Sequence, residues 1–185
     1  MFERELAGAI FSNVEPPEEK PQPEPKQPEA KPEPKQSERS RPAAPPDGQI
    51  TGDYVASLLG AFHDSHVFVA PDLPPEKLRT AIETFGQGVN PSDVVLLFDN
   101  TVLGSCKDGL ILTAESVCYC DNSFEGPVQF LLKELTEVSY VEGGFLKFAG
   151  VVLNGTKFTT PAADDSTGTA RALARVIELV AAARK

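Results

Sequence analysis

The residues of this chain that carry chemistry are few: three cysteines, two histidines and a glycine-bracketed heptad, GSCKDGL, at 104–110. The heptad opens with the Gly-x-x-x-x-Gly spacing of a phosphate-binding loop. The Lys-Ser/Thr pair that completes such a loop is replaced by Leu110 and Ile111, and a strand-like run follows where a helix N-terminus would have to face the phosphate. The spacing therefore predicts a turn between two strands, with Gly104 and Gly109 supplying turn geometry and Ser105, Lys107 and Asp108 facing water. Cys106, on that turn, is expected to be exposed, and the Lys107 ammonium beside it would favour the thiolate. Cys106 and Lys107 are thus the candidates for a reactive or ligand-contacting turn.

Cys118 and Cys120 stand two apart, so they share one face of a strand and leave Val117 and Tyr119 on the other. Zinc asks for four ligands. A composite Cys2His2 site would have to recruit His63 and His66, which are far away in sequence although their i, i+3 spacing suits a helix. The expected role of the two cysteines is that of small buried apolar side chains. The histidines, in HDSH, have no nucleophile beside them to serve and are expected to close the end of a helix. Asp99 and Thr101 also lie two apart on a strand, where their side chains are expected to hydrogen-bond the backbone of the neighbouring turn. Asn154-Gly-Thr156 matches a glycosylation sequon at an expected hairpin tip, but no export signal precedes it. No residue is assigned to catalysis, to a metal or to a cofactor.

The elements that position these residues follow from periodicity. GDYVASLLGAF (52–62) has helical spacing at Val55, Leu58, Leu59 and Phe62. DLPPEKLRTAIETFG (72–86) reads as a second helix, with a proline-marked start, apolar Leu78, Ile82 and Phe85, and Gly86 as a stop. HVFVAP (66–71) between them reads as an extended connector. From Ser92 the period becomes strand-like, giving strands at 94–100, 109–115, 116–121, 128–135, 137–143, 145–150 and 152–160, the last carrying the hairpin-type Asn154–Gly155 pair. The chain closes with DDSTGTARALARVIELVAAARK, an amphipathic helix capped by Asp164, Asp165 and Ser166. Its apolar stripe is Ala170, Leu173, Ala174, Ile177, Val180 and Ala181, which should cover the sheet.

Composition bounds the use of this fold. The formal charge of −10 is shared between the proline-rich first 48 residues and the rest, which argues against nucleic acid and against an anionic membrane surface as partners. No apolar run is long enough to span a membrane, and an odd number of cysteines does not suggest a secreted disulfide framework, so the expected location is the cytoplasm. Residues 15–48 alternate Pro with Glu, Lys and Gln and are expected to form a disordered, extended linker. They tether a short amphipathic segment, 1–14, whose Phe2, Leu6 and Ile10 form an apolar face suited to docking on a partner.

Residues 73–119, LPPEKLRTAIETFGQGVNPSDVVLLFDNTVLGSCKDGLILTAESVCY, resemble the bacterial PH-like domains of the YokE type. The resemblance rests on a short helix, a strand ending in Asp99 and Thr101, a turn built on Gly104, Ser105, Lys107 and Gly109, and an apolar strand ending in Thr113. FEGPVQFLLKEL (124–135) and VLNGTKF (152–158) extend it, so that it covers roughly residues 67–183. It implies an α+β fold: a seven-stranded antiparallel barrel or sandwich with a C-terminal helix, at 91–185, preceded by two short helices at 49–90. It carries no catalytic motif over to this chain. The function expected is that of a non-catalytic interaction or adaptor protein, or an accessory subunit of a larger complex, contacting protein partners through an edge of the sheet and the tethered segment. The alternative is binding of a lipid or small anionic ligand at the open end of the barrel, for which the turn offers Lys107 beside Asp108.

Overall fold

Between Val94 and Cys120 the chain offers three apolar runs with little polar alternation, VVLLFD, GLILT and SVCYC, a pattern that demands cover on both faces of the strands they form. In the computed structural model, which describes Pro45 and residues 48–121, 126–145 and 147–184, that cover comes from helices on opposite sides. The segment 1–14, with Phe2, Leu6 and Ile10, lies outside the described residues, as does the linker 15–48 apart from Pro45 and Gly48. The described residues belong to one unit.

The elements run α1 (Gly52–Leu59), β1 (Val67–Val69), α2 (Pro75–Thr84), β2 (Val94–Asp99), β3 (Gly109–Thr113), β4 (Ser116–Cys120), β5 (Val128–Leu131), β6 (Val138–Val141), β7 (Gly150–Leu153), β8 (Thr156–Thr159) and α3 (Ser166–Ala182). Short 3-10 turns lie at Pro91–Asp93 and Leu132–Glu134. Strands β1 to β5 form a five-stranded sheet in sequence order and β6 to β8 a three-stranded one, and every pairing is antiparallel. The protein is therefore α+β, with a C-terminal helix after two sheets.

Several details differ from the sequence reading, and the described residues hold eight strands where seven were expected, the run 128–135 ending as a strand at Leu131. The segment read as a connector at 66–71 contains β1, whose Val67 and Val69 stand opposite Phe98 and Leu96; it hydrogen-bonds the outer edge of β2, which is buried and needs partners for its backbone. Of the run 145–150, the described residues before Gly150 form no strand. Lys147 makes one bridge, to Gly144, before β7 starts at Gly150. The stretch 152–160 is two strands, because Asn154 (φ 48°) and Gly155 (φ 82°) both adopt the left-handed conformation of a two-residue hairpin turn. Among the described residues the two sheets do not join into a closed barrel: after β5 the Leu132–Glu134 turn leads the chain away from the first sheet.

Strand parity sorts the side chains of β2, β3 and β4 into two cores. Leu96, Phe98, Leu110, Leu112, Val117 and Tyr119 point towards α3, β7 and β8, where Phe98 and Tyr119 both meet the Phe158 ring, at centroid distances of 5.9 and 5.3 Å. All six residues of the expected α3 stripe are buried there, joined by Val55 of α1. On the other face, Val94, Leu97, Ile111, Cys118 and Cys120 pack beneath Ala81 and Phe85 at α2. Each fully buried aliphatic side chain contributes about 1.5–3 kcal/mol. The helix ends are fixed locally: Thr51 accepts from Tyr54 N–H at α1, Pro74 and Pro75 open α2, and Asp165 accepts from Gly168 N–H at α3.

Candidate functional site: one end of the two sheets

The heptad GSCKDGL joins β2 to β3, and its geometry is governed by Asp99, the last residue of β2. The Asp99 side chain is buried. Its Oδ1 accepts from the backbone N–H of Thr101 (3.0 Å) and Cys106 (3.2 Å) and from the Thr101 hydroxyl. Its Oδ2 takes the ammonium of Lys77 on α2, which also donates to the Gly104 carbonyl at 2.8 Å and lies over the Phe68 ring. Burial pushes the Asp99 carboxyl up, but the hydrogen bonds from Lys77 and Thr101, with the Lys77 charge, outweigh it and hold the group below its ordinary value. The turn is thus organised as the spacing of Asp99 and Thr101 predicted, with one added element, Lys77, that spacing in sequence did not reveal.

Both glycines have a close-approach reason. A Cβ at Gly104 (φ 70°) would come within 2.9 Å of the Lys77 ammonium, and one at Gly109 within 2.1 Å of the Phe98 carbonyl oxygen. Ser105 and Lys107 face solvent. Cys106 does not. It is completely buried in the core beneath α2, because its positive φ of 54° and the hydrogen bonds from its N–H to Asp99 and Thr101 turn the side chain inward. Burial above all, then the Asp99 charge, pushes its thiol up to about 12, so the reading of Cys106 as an exposed reactive thiol is corrected. Lys107 remains at the surface, and the cation that serves the turn is Lys77.

Further bonds gather other loops at the same end. Asn100 donates from Nδ2 to the Thr159 carbonyl at the end of β8 (3.1 Å), and Asp121, after β4, accepts from Thr159 N–H (3.1 Å) and its hydroxyl. Buried Asp64 accepts from His66 N–H (2.9 Å), Asp164 N–H (3.2 Å) and the Thr169 hydroxyl, while Asp164 accepts from Ser65 N–H (2.9 Å). The Ser65 hydrogen bonds hold the Asp164 carboxyl below its ordinary value. His66 donates from Nδ1 to the Asp99 carbonyl at 3.0 Å. The histidines therefore do not close α1, which ends on Gly60 (φ 60°); HDSH instead ties the start of α3 to the end of β2. Cys118 and Cys120 lie under α2, and among the described residues no three His, Cys, Asp or Glu side chains gather in a metal-sized cluster.

The same end carries large apolar side chains in full view. In the β2–β3 loop Val102 is 85% and Leu103 93% exposed, and in the β6–β7 connection Phe145 is 96% and Phe148 60% exposed. Sequence reasoning missed them, because Val102 and Leu103 fall in the turn between the expected strands 94–100 and 109–115, where no spacing marks them, and Phe145 and Phe148 lie in the run 145–150, which reads as a strand. At the opposite end a cleft of about 650 Å³ opens between the start of α1, the loop before β2 and the β3–β4 turn, lined by Thr51, Asn90, Asp93, Thr113, Glu115 and Gln129. Its Thr113 hydroxyl is engaged with the backbone N–H of Glu115 (3.1 Å) and Ser116 (2.9 Å), which closes the turn.

No protein-family model, curated protein or solved structure matches the chain.

Proposed function

We propose that this chain is a non-catalytic interaction module of the PH-like type, an adaptor or accessory subunit that binds protein partners through the loop end of its two sheets. The observation that carries this reading is the pair of apolar tips: four large side chains, Val102, Leu103, Phe145 and Phe148, held out by loops that are pinned, the first by Asp99 and the second by the Gly144–Lys147 bridge and the Lys157 bond to the Phe148 carbonyl. Single exposed apolar residues need no explanation, but fixed loops that present several at one end mark a contact surface. The PH-like assignment is supported by the order of elements, seven antiparallel strands from β2 to β8 followed by α3. The segment carrying Phe2, Leu6 and Ile10 would add a second contact to the same partner and raise its effective concentration.

The test is affinity purification from the native organism with mass spectrometry, comparing the natural chain, a Leu103→Asp/Phe145→Asp variant and a chain lacking residues 1–14. Both substituted positions are exposed, so the variant's unfolding free energy should stay within about 0.5 kcal/mol of the parent's. Partners lost from the double variant support this end as the contact surface. A partner list identical to that of the natural chain overturns it.

A further inference from the structure

We infer that the partner segment read by this end is itself acidic as well as apolar: a peptide stretch in which Asp or Glu flanks large apolar side chains. This inference rests on the interaction reading above and deepens it by naming the partner's chemistry.

Three ammonium groups stand beside the two apolar tips without an ion-pair partner among the described residues. The chain as a whole is acidic, at −10, and the carboxylates here, the buried Asp64 and Asp99 as well as the exposed Glu142, Asp164 and Asp165, are engaged by partners within the chain. Asp99 is buried against Lys77, Asp64 against Thr169, Asp121 holds Thr159, Asp164 holds Ser65, Asp165 caps α3, and Glu142 pairs with Arg171. Asp108 has its Oδ1 buried. Three lysines are exposed beside the tips. Lys107 is exposed beside the Val102–Leu103 tip, and Lys147 is exposed between Phe145 and Phe148. Lys157 is exposed on β8 and donates to the Phe148 carbonyl at 2.9 Å, which places its charge against the second tip. Among the described residues none of these three lysines forms an ion pair. Each apolar tip therefore comes with its own uncompensated ammonium, and complementary charge is what an interface rim uses to select and orient a partner.

A peptide segment fits this arrangement better than an anionic bilayer. Each lysine stands beside an apolar tip, where a short ligand can meet it without meeting the rest of the acidic surface. A flat membrane would also lie within a screening length, roughly 8–10 Å, of many of the chain's surplus carboxylates. A symmetric second copy of this chain would bring the same unpaired lysines to lysines beside the tips.

The experiment selects peptides from a random displayed library on the immobilised full chain, then measures the affinity of the recovered peptides in solution. The expected result is enrichment of Asp and Glu next to Leu, Phe, Ile or Val. The recovered peptides should bind about tenfold more weakly to a Lys107→Glu/Lys147→Glu variant, and about tenfold more weakly at high salt than at low salt. Lys157 is left intact because it also holds Phe148. Recovery of peptides without an acidic bias, or affinities unmoved by the charge reversal, overturns the inference while leaving the interaction reading in place. Peptides that bind the Leu103→Asp/Phe145→Asp variant undiminished overturn the interaction reading itself. A library that yields nothing overturns the inference. Co-sedimentation of the full chain with phosphatidylcholine vesicles containing phosphatidylglycerol, but not with phosphatidylcholine alone, overturns it by assigning the surface to a membrane. A concentration-dependent dimer abolished by Leu103→Asp/Phe145→Asp overturns it by assigning the surface to self-association.

Discussion

The ammonium of Lys77, on helix α2, bridges the buried carboxylate of Asp99 and the carbonyl of Gly104, so one side chain joins the helix to both ends of the turn that displays Val102 and Leu103. Helix packing and loop conformation are therefore one problem in this protein. What loosens the helix on the sheet also loosens the exposed tip.

Removing the cation should show this directly. Lys77→Met leaves Asp99 charged in a buried place and should cost about 2–3 kcal/mol, at the low edge of the range for a broken buried pair because solvent reaches part of Lys77. Urea denaturation of the single variant and of Lys77→Met/Asp99→Asn checks it. The double variant should lose less than the single, since the substituted amide keeps an oxygen for Thr101 and Cys106 and no longer buries a charge. Equal losses would mean that packing, not charge, binds α2 to the turn.

The pH dependence has a defined sign. Asp99 and Asp164 both titrate below the ordinary carboxylate range in the folded chain, so the folded state binds fewer protons than the unfolded one. Their contribution is fully present above the unfolded value of about 3.9 and is lost as pH falls towards the lower folded values. Stability measured by denaturant titration from neutral pH into the acid range should fall in the acid limb, and Asp99→Asn should flatten that limb while lowering the plateau. A variant whose acid limb matches the parent's would remove Asp99 from the account.

Cys106 should be chemically silent in the native chain. A completely buried thiol raised to about 12 offers almost no thiolate near neutrality. A Cys118→Ala/Cys120→Ala variant, which isolates Cys106, should react with Ellman's reagent only as fast as the protein unfolds, and fully in denaturant. Reaction within seconds in native buffer would restore the exposed-turn reading.

The hairpin tip at Asn154 is a staple as well as a turn. Its Oδ1 accepts from the N–H groups of Thr136 (2.9 Å) and Glu137 (3.1 Å), its Nδ2 donates to the Glu134 carbonyl (3.1 Å), and its backbone is left-handed at φ 48°. Asn154→Ala should cost about 2 kcal/mol by losing those bonds and straining the turn, and Asn154→Gly about half of that, because glycine relieves the strain alone. Thermal melts of the pair separate the two contributions. The same bonds occupy the amide that a sequon would present.

How much was legible beforehand depends on whether an element's cause is local. The three helices follow from apolar spacing, proline starts and side-chain caps within a few residues, and they form where those signals stand. The Asn154–Gly155 turn needs only two left-handed residues in a row. Asp99 and Thr101 sit seven residues or fewer from the backbone groups they bind in the turn, so their role could be argued from strand parity. The unbroken apolar character of β2, β3 and β4 even stated that both of their faces are covered.

Which element covers each face was not written locally. Lys77 and Asp99 are 22 residues apart, and Asp64 and Thr169 are 105 apart; no spacing rule links them, because they meet only after α2 and α3 have packed on opposite sides of the sheet. The same packing decided the fate of the heptad: a cysteine between Ser105 and Lys107 looks polar and exposed along the chain, yet its left-handed backbone sends the thiol into the core, while Val102 and Leu103 stay outside. The sequence by itself determined the helices and the apolar strands β2, β3 and β4, the acidic charge and the absence of a phosphate-loop signature, all properties of neighbours. Tertiary structure decided which charges neutralise each other and which apolar side chains remain in water, because burial is a property of the whole packed arrangement rather than of any stretch of chain.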